Sequence, residues 1–109
     1  EGAADCRANN IRLLVLLIPT KARVLTPYTK LTDFAAVTFS RPEGDSLGVV
    51  LKEFCDSHQI AFADATAPLQ EQAKAGRLVY LPYDTHLSPA GHQVVAELVA
   101  AKLAAQGGQ

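Results

Sequence analysis

From Leu13 to Ile18 the chain carries an unbroken apolar run between Arg12 and Pro19. Continuous rather than alternating hydrophobicity is the pattern of a strand covered on both faces, as in a parallel sheet, so a buried strand is expected here. The run falls far short of the ~20 apolar residues that span a bilayer, and it is marginal as the core of a signal peptide. A helix end precedes it, because ADCRANN closes on Asn9 and Asn10, residues suited to the turn. Further on, EFCDSHQ precedes IAFADA in the same way, and both copies place four residues between a cysteine and an isoleucine: Cys6 to Ile11 and Cys55 to Ile60. This echo predicts two helix-to-strand units of one α/β layer, with each cysteine a small apolar residue on the helix face toward the sheet.

In residues 46–58, Leu47, Val50, Leu51, Phe54 and Cys55 fall at helical spacing, and Ser46 or Asp45 is the expected N-cap. A strand follows at Ile60 to Asp64, then a short helix over 67–75 that stops at Gly76, then another short strand, RLVYLP. The last helix carries the strongest signals. Ser88 is a natural N-cap, Pro89 suits the first helical position, and Val94, Val95, Leu98, Val99 and Leu103 form an apolar stripe before Gly107 and Gly108. Residues 20–45, with Pro27 and Pro42, are expected to be partly helix and partly loop, with Ala35 to Phe39 as an alternative strand. The alternation of strand and helix predicts an α/β domain with a mainly parallel sheet and helices on its faces.

Composition narrows the picture. At 109 residues the chain is one domain at most, and 49% hydrophobic against 19% charged residues describe a packed chain rather than a disordered one. The formal charge is -1 and no basic stripe is present, which argues against a nucleic-acid partner. Two cysteines allow at most one disulfide and no zinc site without histidines at ligand spacing, so no metal or cofactor is expected. The chain contains no methionine and begins at Glu1, which suggests a piece of something longer.

The densest group of reactive side chains is Tyr83-Asp84-Thr85-His86-Leu87-Ser88-Pro89-Ala90-Gly91-His92, between the RLVYLP segment and the last helix. Ligands of open α/β sheets bind beyond the carboxyl ends of the strands, where this loop is expected to lie. A carboxylate two residues from a histidine can bond one ring nitrogen, fix the tautomer and leave the other nitrogen free as a general base. Asp84 and His86 fit those two roles, although D-x-H is short and also serves as loop and helix-start chemistry.

Taken together, LLVLLIPTK at 13–21, EFCDSHQIAFADATAPL at 53–69 and GRLVYLPYDTHLSPAGHQVVAELVAAKL at 76–103 resemble the later part of SGNH (GDSL-type) hydrolases. They are most similar to the branch of alginate acetyltransferase-like sugar O-acetylation domains. The resemblance implies a three-layer α/β/α fold of flavodoxin-like type, of which residues 1–109 would be a single, incomplete C-terminal portion. It also implies that Asp84 and His86 complete a Ser-His-Asp triad in a serine ester hydrolase or O-acyltransferase acting on acetyl or short acyl esters, with an acyl ester or acetylated carbohydrate as substrate.

The family also needs a serine on a turn after a strand, and oxyanion donors from a glycine and an asparagine. Gly44-Asp45-Ser46-Leu47 spells the family's motif, but Arg41-Pro42-Glu43 stands where an apolar strand should deliver the nucleophile, so helix capping is the simpler account of Ser46. His92 in the first turn of the last helix suits a supporting or capping role, and His58 suits the negative end of its helix. Lys21 is expected either to meet an anionic or sugar substrate or to be solvated. Tyr80 and Tyr83 can line a pocket or simply pack. The alternative to an enzyme part is a non-catalytic α/β module for binding or assembly. An incomplete sheet leaves an exposed edge for a homo-oligomer to cover. With no transmembrane run, the piece is expected to be soluble, in a setting compatible with export or a periplasm.

Overall fold

The computed structural model describes residues 1–25 and 43–107. The mixed stretch from Pro27 to Pro42, with the alternative strand Ala35 to Phe39, lies outside the described residues. Helix α1 (Gly2–Ala8) leads into strand β1 (Leu14–Leu17) and the short helix α2 (Lys21–Leu25). Helix α3 (Glu43–Ser57), strand β2 (Ala61–Asp64), helix α4 (Thr66–Lys74) and helix α5 (Pro89–Gly107) complete the order. β1 and β2 pair in parallel, with Leu14 opposite Ala61 and Leu17 opposite Asp64. Parallel pairing requires a crossover rather than a hairpin, and α2 and α3 lie on it. The result is a mixed α/β fold, part of an α/β/α arrangement, with α3 and α5 both against β2.

The repeated spacing from cysteine to isoleucine has a backbone cause. After α1, the Ile11 N–H donates to the Cys6 carbonyl (2.7 Å) and the Asn10 N–H to the Arg7 carbonyl (3.2 Å), with Asn10 at φ 55°. After α3, Ile60 donates to Cys55 (2.8 Å) and Gln59 to Asp56 (3.3 Å), with Gln59 at φ 56°. These are Schellman closures, in which a left-handed residue reverses the chain and satisfies the helix's orphan carbonyls. Each isoleucine is therefore the residue at which the chain leaves the helix stop for the strand. α4 ends in the same way at Gly76 (φ 92°), where Arg77 donates to Gln72 and Gly76 to Ala73. Both thiols are free; Cys55 is buried, but Cys6 is only half-buried because α1 buries no residue.

The core gathers Val24 of α2, Ala65, Leu69 of α4, Val79 and Tyr80, with Leu16, Leu87, Val94, Val95 and Leu98 packed against it. Val94, Val95 and Leu98 of the predicted α5 stripe thus face this cluster. Gly48, on α3, is buried where an added Cβ would meet the Asp64 carboxylate at 3.2 Å and Leu17 at 3.6 Å, so α3 crosses close to the carboxyl ends of both strands.

Three expectations are corrected. β1 is half-buried along its length rather than buried, because the described sheet has two strands and the helices cover it only in part. RLVYLP forms no strand. The Leu81 N–H and the Leu78 and Val79 carbonyls pair with the chain's return at His86 and Ser88 instead of with β1, leaving one antiparallel bridge between Tyr80 and Leu87, and Pro82 has no N–H to extend a ladder. Neither Ser46 nor Asp45 is an N-cap, since α3 starts at Glu43 and carries both inside its first turn. No proline falls between Glu43 and Ser57, and Gly44 and Gly48 each cost only about 1 kcal/mol in a helix, so the helical periodicity extends backward to Glu43. Leu47, Val50 and Phe54 of the predicted stripe are more than half exposed, whereas Cys55 is inside.

Candidate active site

The segment Tyr83 to His92 is built on hydrogen bonds that the sequence motif makes possible. Val79 and Tyr80 are buried, and the chain then loops outward and returns at Leu87. Closing the loop, the Leu81 N–H donates to the His86 carbonyl (2.9 Å) and the Ser88 N–H to the Val79 carbonyl (3.0 Å). The Ser88 hydroxyl accepts the Gly91 N–H (3.1 Å), which makes Ser88 the N-cap of α5 as expected, and donates to the Leu78 carbonyl (2.5 Å). Gly91 is required by contact rather than by backbone angle. A Cβ there would overlap the Val79 carbonyl and meet Leu87 at 3.0 Å, so only glycine lets the first turn of α5 press on the segment before the loop.

Within the loop, the Asp84 Oδ1 accepts the His86 backbone N–H (2.8 Å) and lies 3.2 Å from His86 Nδ1. One carboxylate oxygen thus sets both the turn and the ring. The Asp84 carboxyl titrates below its usual range chiefly because it accepts the His86 N–H. Lost hydration opposes this, while the His86 ring and the Lys21 ammonium add to the lowering. His86 is 81% exposed and Asp84 51%, so the ring's Nε2 edge is open to a reacting group. With Nδ1–H directed at Asp84, Nε2 is the basic nitrogen.

Lys21, just beyond the carboxyl end of β1, donates to the carbonyls of Leu81 (2.6 Å), Pro82 (3.1 Å) and Asp84 (2.9 Å). The loop therefore lies at the carboxyl end of the parallel sheet, the usual ligand edge of such folds. Its ammonium thus bonds the loop backbone, a contact that neither expectation for Lys21 included. Tyr80 is buried and its hydroxyl donates to the Pro19 carbonyl (2.6 Å), whereas Tyr83 is fully exposed beside Asp84. His92 is exposed, with no side-chain hydrogen bond among the described residues, so it caps nothing there. His58 does serve the end of α3. Its Nδ1 lies 2.8 Å from the Phe54 carbonyl and 3.0 Å from the Ser57 hydroxyl, and its ring stacks on Phe54. Ser46 is exposed in the first turn of α3.

Sequence reasoning missed the role of Lys21. Its signal was its place directly after Pro19-Thr20 at a strand end, but the loop that it holds lies 60 or more residues away. Among the described residues, no group of three or more His, Cys, Asp or Glu side chains is arranged to hold a metal ion, and no helix is long and apolar enough to cross a membrane.

No curated protein and no solved structure matches the chain. The family described as "SGNH hydrolase-like domain, acetyltransferase AlgX" matches residues 3–109, which is nearly the whole sequence. With the parallel sheet and the Asp-Thr-His loop at its carboxyl end, the chain belongs to this SGNH hydrolase-like acetyltransferase family.

Proposed function

We propose that this chain supplies the aspartate and histidine of a Ser-His-Asp triad in a serine ester hydrolase or O-acyltransferase that acts on acetyl or short acyl esters, with acetylated carbohydrate as the favoured substrate class. The observation that carries the reading is the 3.2 Å contact between Asp84 Oδ1 and His86 Nδ1, on a loop at the carboxyl end of the sheet, in a family of acetyltransferase scaffolds. His86 takes the proton of the attacking serine through Nε2 as that oxygen bonds the acyl carbon, and returns it to the alcohol that leaves. Asp84 accepts Nδ1–H throughout, holding the ring's orientation and stabilising its charged form. An acceptor, water or a sugar hydroxyl, then gives its proton to the same nitrogen as it bonds the acyl carbon, and His86 passes that proton to the serine oxygen as the serine–acyl bond breaks. The exposure of His86 supports this use, since a base must be reachable by both serine and acceptor.

The test is His86→Ala in the intact protein, with turnover of an acetyl ester as readout. Loss of at least about 100-fold is expected, with folding retained because the ring is 81% exposed. Unchanged turnover in a folded variant overturns the reading.

A further inference from the structure

Residues 81–86 have little to hold them by burial. Leu81 is 36% exposed, Tyr83 is fully exposed, and Pro82, Asp84, Thr85 and His86 are all exposed. A loop without buried side chains takes its position from hydrogen bonds, and those available within it are few: Leu81 to His86 across its neck, and Asp84 to His86 inside it. Both are internal, so between flanks anchored at Tyr80 and Leu87 they leave the loop's own placement over the sheet open. Lys21 supplies that placement. A lysine ammonium has three donors, and here all three are used on carbonyls that converge from Leu81, Pro82 and Asp84. Three carbonyl dipoles aimed at one point repel one another unless a cation sits there. The side chain that fills the point belongs to the first residue of α2, and α2 packs on α4 and puts Val24 in the core. The loop is thereby tied to the rigid part of the fold.

Resting on the reading of Asp84 and His86 as a catalytic pair, we infer that Lys21 is a positioning residue for that pair, a cation that gathers the loop's carbonyls and holds Asp84 and His86 over the carboxyl end of the sheet. It does not contact substrate, since its donors are occupied. Its positive charge also adds a small part to the lowering of the Asp84 carboxyl, which favours the charged state that accepts from His86. A proton-transfer pair needs this kind of support, because displacing a base by about 1 Å can cost 100-fold in rate.

The experiment is NMR of the 109-residue chain. In the unmodified protein, the Lys21 ammonium protons are expected to exchange with water far more slowly than those of Lys74; equal rates overturn the inference without any substitution. In Lys21→Met, which keeps the aliphatic stem, Leu81 amide exchange is expected to rise roughly tenfold or more. The His86 ring nitrogen signals should move toward those of Asp84→Asn, while the Leu69 amide keeps its protection. An unmoved Leu81 amide and an unmoved His86 ring overturn the inference. These readouts do not depend on turnover, so the two readings separate. If Lys21→Met moves the ring while His86→Ala leaves ester turnover intact, positioning stands and the catalytic reading fails. If His86→Ala abolishes turnover while Lys21→Met leaves the ring unmoved, the reverse holds.

Discussion

The Tyr80 hydroxyl donates a 2.6 Å hydrogen bond to the Pro19 carbonyl, joining the segment before the Asp84–His86 loop to the end of β1. Both residues are buried, and burial pushes the Tyr80 phenol up from its ordinary range. The proton therefore stays on the oxygen, and the bond persists to alkaline pH.

Tyr80→Phe keeps the ring and removes this donor, leaving the Pro19 carbonyl buried without it. The expected loss is about 1–3 kcal/mol, the cost of an unsatisfied buried acceptor. Denaturant titration reads it as a lower midpoint with an unchanged slope. A midpoint equal to that of the parent would show that Pro19 finds another donor.

Gly91→Ala tests the close approach of α5 to Val79. Alanine gains about 0.5–1 kcal/mol in helix propensity over glycine, but overlap with a backbone carbonyl costs more, typically about 1–3 kcal/mol. A net destabilisation is expected, together with faster exchange of the Ser88 amide, which donates to the same Val79 carbonyl. A more stable Gly91→Ala protein would contradict this packing.

The order of the loop should depend on acid. Because the Asp84 carboxyl is lowered in the folded protein, its contribution is fully present above the ordinary aspartate value of about 3.9 and is lost as pH falls through its lowered value. Amide exchange at His86, whose N–H is held by Asp84, reports it. Protection of that amide should persist at pH 5 and disappear in strong acid, and Asp84→Asn should abolish the acid transition. A transition retained in Asp84→Asn would assign it to another group.

The 109-residue chain should resist a fluorophosphonate probe. Ser46 lies within a helix rather than on the turn after a strand that presents a triad serine. Mass spectrometry after labelling decides this, and a stoichiometric adduct on Ser46 would make it the nucleophile.

Local order was the legible part. The stops at Asn10, Gln59 and Gly76, the Ser88 cap and the periodicity of α5 depend on residues within a few positions of one another, so composition and spacing suffice to find them. The Cys-to-Ile echo was visible for the same reason, although it marks a backbone closure more than a buried thiol, as half-buried Cys6 shows. RLVYLP misled because strand propensity carries no information about which partner is available, and here the partner is the chain's own return at Leu87. Burial of β1 was overread for a related reason. An unbroken apolar run reports what a strand can bury, and the neighbours present decide how much of it is covered.

The Asp-Thr-His spacing and the family it points to were likewise set by sequence alone, because a carboxylate two residues before a histidine can reach it within one turn. Only the tertiary structure decided where that turn sits. Lys21 and Tyr80 connect it to β1 across 60 or more residues, and Gly91 earns its place from the position of the Val79 carbonyl. Such contacts join residues distant in sequence, and their energies exist only once the backbone has brought donor and acceptor within reach.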